Sequence, residues 1–517
     1  MPGLGTIRNA SLVAAALAVA AGASAASAFS VLYDFNGTDA VYAQSPLVAD
    51  SAGDLFGTSP YGGAPGQGSV FELPPQGGPG SLVILHAFTG GSDGSTPFGG
   101  LVADSAGDLF GVTSSGGDSG AGTIFELARS GSTFAFETLY AFSGGADGSA
   151  PVGTLVIDSG GTLYGTTARG GPGGTGTVFA LSPGGSGFAL TTLHAFSAAS
   201  SAGVNADGAF PEGALLRDDL GTLFGTTAGG GASAAGVVFA LVPGTSGYSF
   251  SVLHEFSGGA DGTTPAAGLV EDRSGNLFGT TSGDSTIGLW GTVFELARQR
   301  GGYAFRTLHT FEDAVDGSDP LAGLVLDSAG DLLGTAATGG ASNAGTIFEL
   351  FPDGAGFTFR LLYQFSGDFD GAAPAGGVVF GPGGRLYGDT VGGGLFGWGA
   401  IFAYTPPPIA EPQIVRIPVP APVMVTLSGF DPALPDAAFT FAIASPPAHG
   451  TLSPVAGGTV TYTPDSAFSG ADAFTFTAAD ANGTSNPATV RITTEASARG
   501  RIVPVAPTPP APIDRGP

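Results

Sequence analysis

Short apolar runs separated by glycine-rich turns follow one another along most of the chain. Residues 99–142 hold four of them, GGLVAD, DLFGVT, GTIFEL and FETLYAF. None reaches helical length, and β-branched and aromatic residues dominate, which is typical of strands. Several runs are apolar at neighbouring positions, so both faces of each strand are expected to be covered. The pattern predicts an all-β protein.

These four runs form a unit that occurs seven times. The second run carries an aromatic or leucine residue followed by glycine, at Phe56, Phe110, Tyr164, Phe224, Phe278, Leu333 and Tyr387. A glycine lies three residues before each of these positions, and an aspartate lies six residues before all but the last, a spacing that favours a tight turn. A four-stranded unit of about 54 residues fits a blade of a β-propeller better than a solenoid coil, whose period is roughly half as long.

The two ends of the repeat region complement each other. The last repeat stops after its third strand at residues 401–404, and a run that matches the missing fourth strand occurs at residues 31–35. Pairing of these segments would leave no open sheet edge. The sequence therefore predicts a seven-bladed β-propeller over residues 29–404, closed by its N-terminal strand.

The rest of the chain predicts four further segments. Residues 1–28 contain Arg8, a short alanine-rich apolar run and two small-x-small triplets, which indicate a secretory signal peptide. Residues 405–422 are proline-rich and predict a stiff linker. Alternating Val, Tyr and Phe over residues 423–495 predict a small Ig-like β-sandwich. Residues 496–517 predict a disordered, proline-rich tail.

Composition narrows the chemistry. The formal net charge is −27, with 42 acidic residues against 15 basic ones. Such a chain repels a polyanionic backbone, so nucleic acid is not expected as a partner. The absence of lysine and cysteine excludes a Schiff-base amine, thiolate nucleophiles and disulfides. No second hydrophobic stretch follows the N-terminal one, so we expect no membrane span in the mature chain and a secreted or cell-envelope location.

The repeat pattern D-x-x-G-x-L-[FY]-G-T-T, followed by G-T-V-F-x-L and L-H/Y-x-F, resembles the GloVer tandem repeat of bacterial exported proteins, sometimes called choice-of-anchor tandem repeat proteins. The resemblance covers about residues 31–404 and implies an exported protein with a propeller-like repeat domain, without catalytic residues to carry over. The stretch from His449 to Phe474 similarly resembles cadherin-like or bacterial Ig-like domains, usually spacer or adhesion units.

Aspartate–glycine loops follow the fourth strand of the repeats and form an acidic rim. Their carboxylates are Asp93, Asp147, Asp207, Asp261, Asp316 and Asp370, with a degenerate copy at Asp39. Hard oxygen donors on flexible loops suit Ca²⁺ or polar ligands such as sugars. The alternative is that Asp-Gly is simply a favourable turn. No cofactor is required by either interpretation, and Ca²⁺ is the one ion that the pattern suggests.

Departures from the repeat predict the ligand side of the rim. Repeat four has an insertion before Glu212, and repeat five replaces its glycine-rich loop with a segment that contains Asp284 and Trp290. Trp398 stands in the corresponding loop of repeat seven. Aromatic platforms beside carboxylates suit a sugar or peptide contact, and an ordinary loop insertion is the alternative.

Two classes of function remain open. Near-perfect repetition and the Ig-like domain favour a non-enzymatic binding or structural module that binds an extracellular glycan or protein. The alternative is a propeller enzyme, a hydrolase or lyase acting on polysaccharide, which needs two inequivalent carboxylates in the central pocket. Oligomeric state is not determined by the pattern.

Overall fold

The computed structural model describes residues 28–494, except residues 76, 77, 79, 186, 354, 355, 418–420, 432–436 and 467. Residues 1–27 of the predicted signal peptide and the predicted tail at 496–517 lie outside the described residues. Within the described part the protein is all-β, with two single-turn 3-10 helices at Ser285–Ile287 and Pro382–Gly384.

Seven four-stranded antiparallel sheets make up the repeat region, and we number them in chain order. Sheet one is Val48–Ala49, Leu55–Ser59, Ser69–Leu73 and Val83–Ala87; sheet two is Val102–Ala103, Leu109–Thr113, Thr123–Ser130 and Thr133–Ala141. Sheet three is Val156–Ile157, Leu163–Thr167, Thr177–Gly184 and Gly187–Ala195; sheet four is Leu216–Arg217, Leu223–Thr227, Val237–Gly244 and Gly247–Glu255. Sheet five is Val270–Glu271, Leu277–Thr281, Thr292–Gln299 and Gly302–Thr310; sheet six is Val325–Leu326, Leu332–Ala336, Thr346–Asp353 and Gly356–Gln364.

Sheet seven combines both ends of the repeat region. Its strands are Val378–Phe380, Leu386–Asp389 and Ala400–Tyr404, and the fourth is the N-terminal strand Phe29–Asp34. Phe29 pairs with Tyr404 and Asp34 with Ala400, antiparallel. The predicted pairing of the first strand with the last repeat is confirmed, with the strand beginning two residues earlier than expected.

The aromatic–glycine pair of the second strand has a packing cause. A Cβ atom on Gly57 would lie 2.4 Å from the ring of Phe71 on the third strand and 2.8 Å from Leu47. Only glycine leaves room for that ring, which is fully buried. All five residues of Leu55–Ser59 are buried, so the expectation that this strand is covered on both faces is confirmed.

The sheets pack in a cyclic order. Six apolar clusters each join two consecutive sheets, for example Phe56 and Val70 of sheet one with Leu109 and Phe125 of sheet two. The remaining contact places Tyr33, Phe35 and Ile401 of the seventh sheet against Leu47, Leu55 and Phe71 of the first. Each sheet therefore has a neighbour on both faces.

A second domain follows, built from two sheets around one core. The larger sheet holds Gln413–Ile417, Ala488–Thr494, Gly470–Asp480 and Thr440–Ser445, with Gly483–Thr484 on its side; the smaller holds Val423–Thr426, Thr459–Pro464 and Gly450–Leu452. Ile409–Ala410 pairs with Gly429–Phe430. Buried Tyr462, Phe474 and Phe476 lie in the shared core.

The segment predicted as a linker differs in part from that expectation. Residues Gln413–Ile417 form a strand that pairs in parallel with Val490–Thr494. The reason is the alternation within Gln-Ile-Val-Arg-Ile, which places Val415 and Ile417 against the core of the second domain. Because prolines dominate the segment's composition, this short alternation was hidden in the sequence.

Candidate functional site

The aspartates of the Asp-Gly loops contact aromatic side chains of the preceding strand. Each carboxylate lies beside the His or Tyr ring at the second-to-last position of its own fourth strand. The distances between the ring nitrogen or hydroxyl and the carboxylate are 3.2 Å for His86–Asp93, 3.1 Å for Tyr140–Asp147, 3.1 Å for His194–Asp207, 3.5 Å for His254–Asp261, 2.8 Å for His309–Asp316 and 2.9 Å for Tyr363–Asp370.

The remaining lone pairs of these carboxylates are used by the loop itself. Asp147 accepts hydrogen bonds from the backbone N–H of Ser143 at 2.7 Å and from the Ser143 hydroxyl at 2.5 Å. Burial acts to raise the pKa of Asp147, but these bonds and the one from Tyr140 outweigh it and lower the pKa. The carboxylate is thus held ionised as the cap of a turn.

Calcium binding by these loops stays a prediction. Among the residues that the structure describes, no group of three or more His, Cys, Asp or Glu side chains is arranged to hold a metal ion. Asp93, Asp147, Asp207, Asp261, Asp316 and Asp370 are each engaged within their own repeat rather than brought together.

The four histidines of the repeat region occupy a packing position that tyrosine fills in the other three repeats. His86 stacks on Phe136 of the next sheet with ring centroids 3.7 Å apart. His194, His254 and His309 stack on Phe250, Phe305 and Phe359 in the same way. Burial lowers the pKa of His86, His194 and His254 despite the adjacent aspartates. Each of these four histidine rings therefore packs its own sheet against the next one.

Small residues meet where the segments that precede the first strands of neighbouring sheets touch. A Cβ atom on Gly99 would lie 3.0 Å from the carbonyl oxygen of Gly153, and one on Gly153 would lie 2.7 Å from that of Gly213. The same close approach joins Gly376 to Ser45, at 2.9 Å, where sheet seven meets sheet one. Larger side chains are excluded from these contacts, so neighbouring repeats approach one another closely here.

Glu212 lies next to one of these contacts, immediately before Gly213. Burial raises its pKa, opposed by Arg169. The six residues at the same repeat position are Gln44, Phe98, Val152, Ala266, Leu321 and Ala375, and none is acidic. These seven matching positions therefore do not supply the two carboxylates that the enzymatic alternative requires.

Trp290 and Trp398 occupy the same repeat position but differ in their surroundings. Trp290 is half-buried and packs on the cluster between sheets five and six. Asp284, in the same loop, accepts hydrogen bonds from the backbone N–H and hydroxyl of Thr286 and caps the turn Ser285–Ile287. Trp398 is 39% exposed on the rim.

Two tyrosines not expected from the sequence extend the aromatic surface, since Tyr42 lies beside Trp398 and Tyr61 lies beside Tyr42. The ring centroid of Tyr42 is 5.9 Å from that of Trp398 and 6.2 Å from that of Tyr61. Tyr42 is 40% exposed and Tyr61 45% exposed. We call Tyr42, Tyr61 and Trp398 the aromatic seam, because they join the last glycine-rich loop to the first repeat.

The aromatic seam occurs once in the seven repeats. The positions matching Tyr42 hold Thr96, Ala150, Phe210, Thr264, Asp319 and Ala373; those matching Tyr61 hold Ser115, Arg169, Gly229, Gly283, Thr338 and Gly392; those matching Trp398 hold Gln67, Ala121, Thr175, Ala235, Trp290 and Ala344. Leu395 and Phe396, at 58% and 55% exposure, extend the apolar surface on the same loop as Trp398. Clustered exposed aromatic side chains mark interaction sites.

This arrangement defines a tandem-repeat β-protein with an Ig-type C-terminal domain, and sequence comparison agrees. The Gloeobacter/Verrucomicrobia repeat family matches residues 19–144, 77–289 and 270–410. The chain belongs to this family. A bacterial Ig domain matches residues 405–493, which includes the strands within the segment predicted as a linker. No curated protein matches the chain.

Solved structures show distant likenesses. The extracellular domain assigned to a hybrid two component system of B. thetaiotaomicron is 13% identical, with a TM-score of 0.46; the match covers 90% of this chain and 57% of that domain. A gluconolactonase of Xanthomonas campestris is 15% identical, with a TM-score of 0.34, covering 59% of this chain and 85% of the enzyme. A subtype N11 neuraminidase-like protein of A/flat-faced bat/Peru/033/2010 is 12% identical, with a TM-score of 0.33, covering 64% of this chain and 92% of that protein. These values are too low to transfer a function.

No helix in the described part of the chain is long and apolar enough to cross a bilayer.

Proposed function

We propose that this chain is an exported, non-enzymatic binding module at the cell envelope or outside the cell, and that the aromatic seam holds an extracellular glycan. The single observation that carries the proposal is the coincidence of Tyr42, Tyr61 and Trp398 in one of seven equivalent places. The match to a bacterial Ig domain supports the location.

We further propose that the seven sheets are the blades of a propeller. Their cyclic packing order and the pairing of Phe29–Asp34 with Ala400–Tyr404 support this arrangement. Propellers present loops from every blade on one rim, so a ligand site at one seam is held by a rigid scaffold.

A glycan fits the chemistry of the aromatic seam. Exposed Trp and Tyr rings offer flat apolar faces for the C–H faces of sugar rings, together with an indole N–H and hydroxyl groups for the sugar hydroxyls. Polar groups of the neighbouring loop lie close by, since the Trp398 indole reaches Gly37, and Asn36 and Asp39 hydrogen-bond within that loop. Large, rigid aromatic side chains also lose little conformational entropy on binding.

A glycan array followed by titration of the retained sugar tests the proposal. Trp398→Ala should weaken binding at least about tenfold, since removing an aromatic anchor from a binding site typically costs about 2 kcal/mol or more. Phe210→Ala is the matched control, because Phe210 occupies the Tyr42 position in another repeat at 37% exposure. Retention of no glycan, or equal loss in both variants, would contradict the proposal. Release of reducing sugar by the parent protein would favour the enzymatic alternative.

A further inference from the structure

A cavity of about 550 Å³ lies between sheet six and the C-terminal domain. Its apolar walls come from Phe351 and Leu326 of sheet six, Phe380 of sheet seven, the segment Pro406–Pro408, and Pro487 of the C-terminal domain. This volume lies within the usual range for small-molecule sites, which often occur between domains.

One side of the cavity is acidic. Asp331 and Glu349 are 7% and 4% exposed, and both line the cavity with Asp327. Glu349 is compensated, because Arg360 Nη2 lies 2.9 Å from its Oε2 and Asn486 Nδ2 donates to the same atom at 2.8 Å.

Asp331 is much less well compensated. It receives one hydrogen bond of 3.5 Å from Asn486 and forms no ion pair with any residue that the structure describes. Burial and the neighbouring carboxylates of Asp327 and Glu349 raise the pKa of Asp331 to about 8. Asp431 and Arg491 also line the cavity, so its lining carries four carboxylates and one guanidinium.

The sequence explains the missing donor. In sheet two, the backbone N–H of Arg129 donates to the matching Asp108 at 2.6 Å, and in sheet five Arg298 donates to Asn276 at 2.8 Å. The corresponding residue of sheet six is Pro352, which has no N–H. The carboxylate of Asp331 is therefore left on the cavity wall without the backbone donor that Asp108 has in sheet two.

We propose that this cavity binds a basic group, an ammonium or guanidinium, carried on an apolar stem. The basic group pairs with Asp331 and Asp327, and the stem packs on Phe351 and the prolines of the connecting segment. Burying a carboxylate without a cation costs free energy. A bound ammonium or guanidinium offsets that cost by donating a charge-assisted hydrogen bond. The site is independent of the aromatic seam.

The basic group could belong to a small amine or to a Lys or Arg side chain, so the test has two arms. Calorimetric titrations of the full chain compare 1-aminohexane with 1-hexanol, and the peptide Ala-Arg-Ala with Ala-citrulline-Ala. We expect the charged member of one or both pairs to bind at least about tenfold more tightly than its neutral match. Binding in the first arm alone assigns a free amine, and binding in the second assigns a peptide side chain.

Three variants locate the site. Asp331→Asn should reduce binding about tenfold, and Ser328→Trp, at an exposed position on the cavity wall, should block it. Asp54→Asn is the matched control, because Asp54 holds the same position in sheet one, away from the cavity. Thermal melting confirms that each variant folds. No binding of either charged probe, equal binding of the neutral ones, or unchanged binding by Asp331→Asn and Ser328→Trp would overturn the proposal.

Discussion

The ring of Phe29 stacks on that of Tyr363, with centroids 4.1 Å apart and planes 4° from parallel. Phe29 belongs to the N-terminal strand of sheet seven and Tyr363 to sheet six. The stack between His309 and Phe359 joins sheets five and six at the same repeat position, with centroids 3.9 Å apart. The N-terminal strand therefore reproduces the contact that joins the sheets elsewhere.

Replacing Phe29 with alanine should destabilise the repeat region by about 2–3 kcal/mol, below the value for a fully buried ring because Phe29 is half-buried. The change removes the stack on Tyr363 and the contacts with Phe365 and Phe402. Urea denaturation followed by circular dichroism measures the loss. Phe369→Ala is the control, since this ring is 72% exposed; equal loss in both variants would mean that the N-terminal strand adds little.

The pairing between the two ends of the repeat region could be predicted from the sequence. The last repeat lacks its fourth strand, and a strand that matches it precedes the first repeat. The second-strand glycines were also visible, and the structure adds that Gly57 makes room for Phe71. The packing of one sheet on the next could not be predicted from the sequence. Contacts such as the stack of His86 on Phe136 depend on which residues of two different repeats face each other.

His254→Tyr should preserve the free energy of unfolding at neutral pH to within about 1 kcal/mol. Sheet six already has a tyrosine at this repeat position, Tyr363, which stacks on Phe29 and donates a hydrogen bond to Asp370. Burial lowers the pKa of His254. The unfolded state therefore binds more protons, and the parent loses stability as the pH falls below about 6.5.

Denaturation midpoints at pH 7 and pH 5 measure this difference. The tyrosine variant should lose less stability on acidification than the parent. His254→Ala is the comparison that removes the stack on Phe305 as well, and it should be less stable at both pH values. A tyrosine variant as acid-sensitive as the parent would assign the effect to other groups.

Asp147→Asn should destabilise the protein by about 1–3 kcal/mol without added metal, because an amide offers one acceptor where the carboxylate accepts from Ser143 and Tyr140 on both oxygens. Asp118→Asn, an exposed aspartate in the glycine-rich loop of the same sheet, is the charge-matched control. Melting with and without millimolar Ca²⁺ separates the two roles: a calcium-induced rise in the parent that Asp147→Asn abolishes would favour metal binding by the rim.

The aromatic seam was only partly accessible from sequence. Trp398 was identified as a departure from the repeat, but Tyr42 and Tyr61 lie more than 330 residues before it. Tyr42 also has a φ of 60°, and every residue at its repeat position shares this left-handed backbone conformation. Their proximity follows from the cyclic packing of the sheets, which joins residue 398 to residue 42.

Asp389 offers a sharper test of how sheet seven meets sheet one. It is 1% exposed, and neither carboxylate oxygen accepts a hydrogen bond from a described residue. The matching Thr58, Thr226 and Thr280 each donate to a carbonyl of the next sheet, at 2.9, 2.8 and 3.1 Å. Burial raises the pKa of Asp389 to about 8. This shift favours the neutral acid at neutral pH, at a position where five other repeats have a threonine hydroxyl.

Asp389→Thr should stabilise the protein above pH 4, by an amount that grows with pH. The folded state of the parent retains a proton that the unfolded state releases near pH 4, so its stability falls as the pH rises from about 4 to about 8, by up to about 1.4 kcal/mol per unit for this group. Asp331 adds a slope of the same sign, so the informative quantity is the difference between the variant and the parent. Urea denaturation at pH 5, 7 and 9 measures it. A difference that stays constant over this range would show that Asp389 is ionised in the folded protein or paired with a cation, and that the seventh interface tolerates the charge.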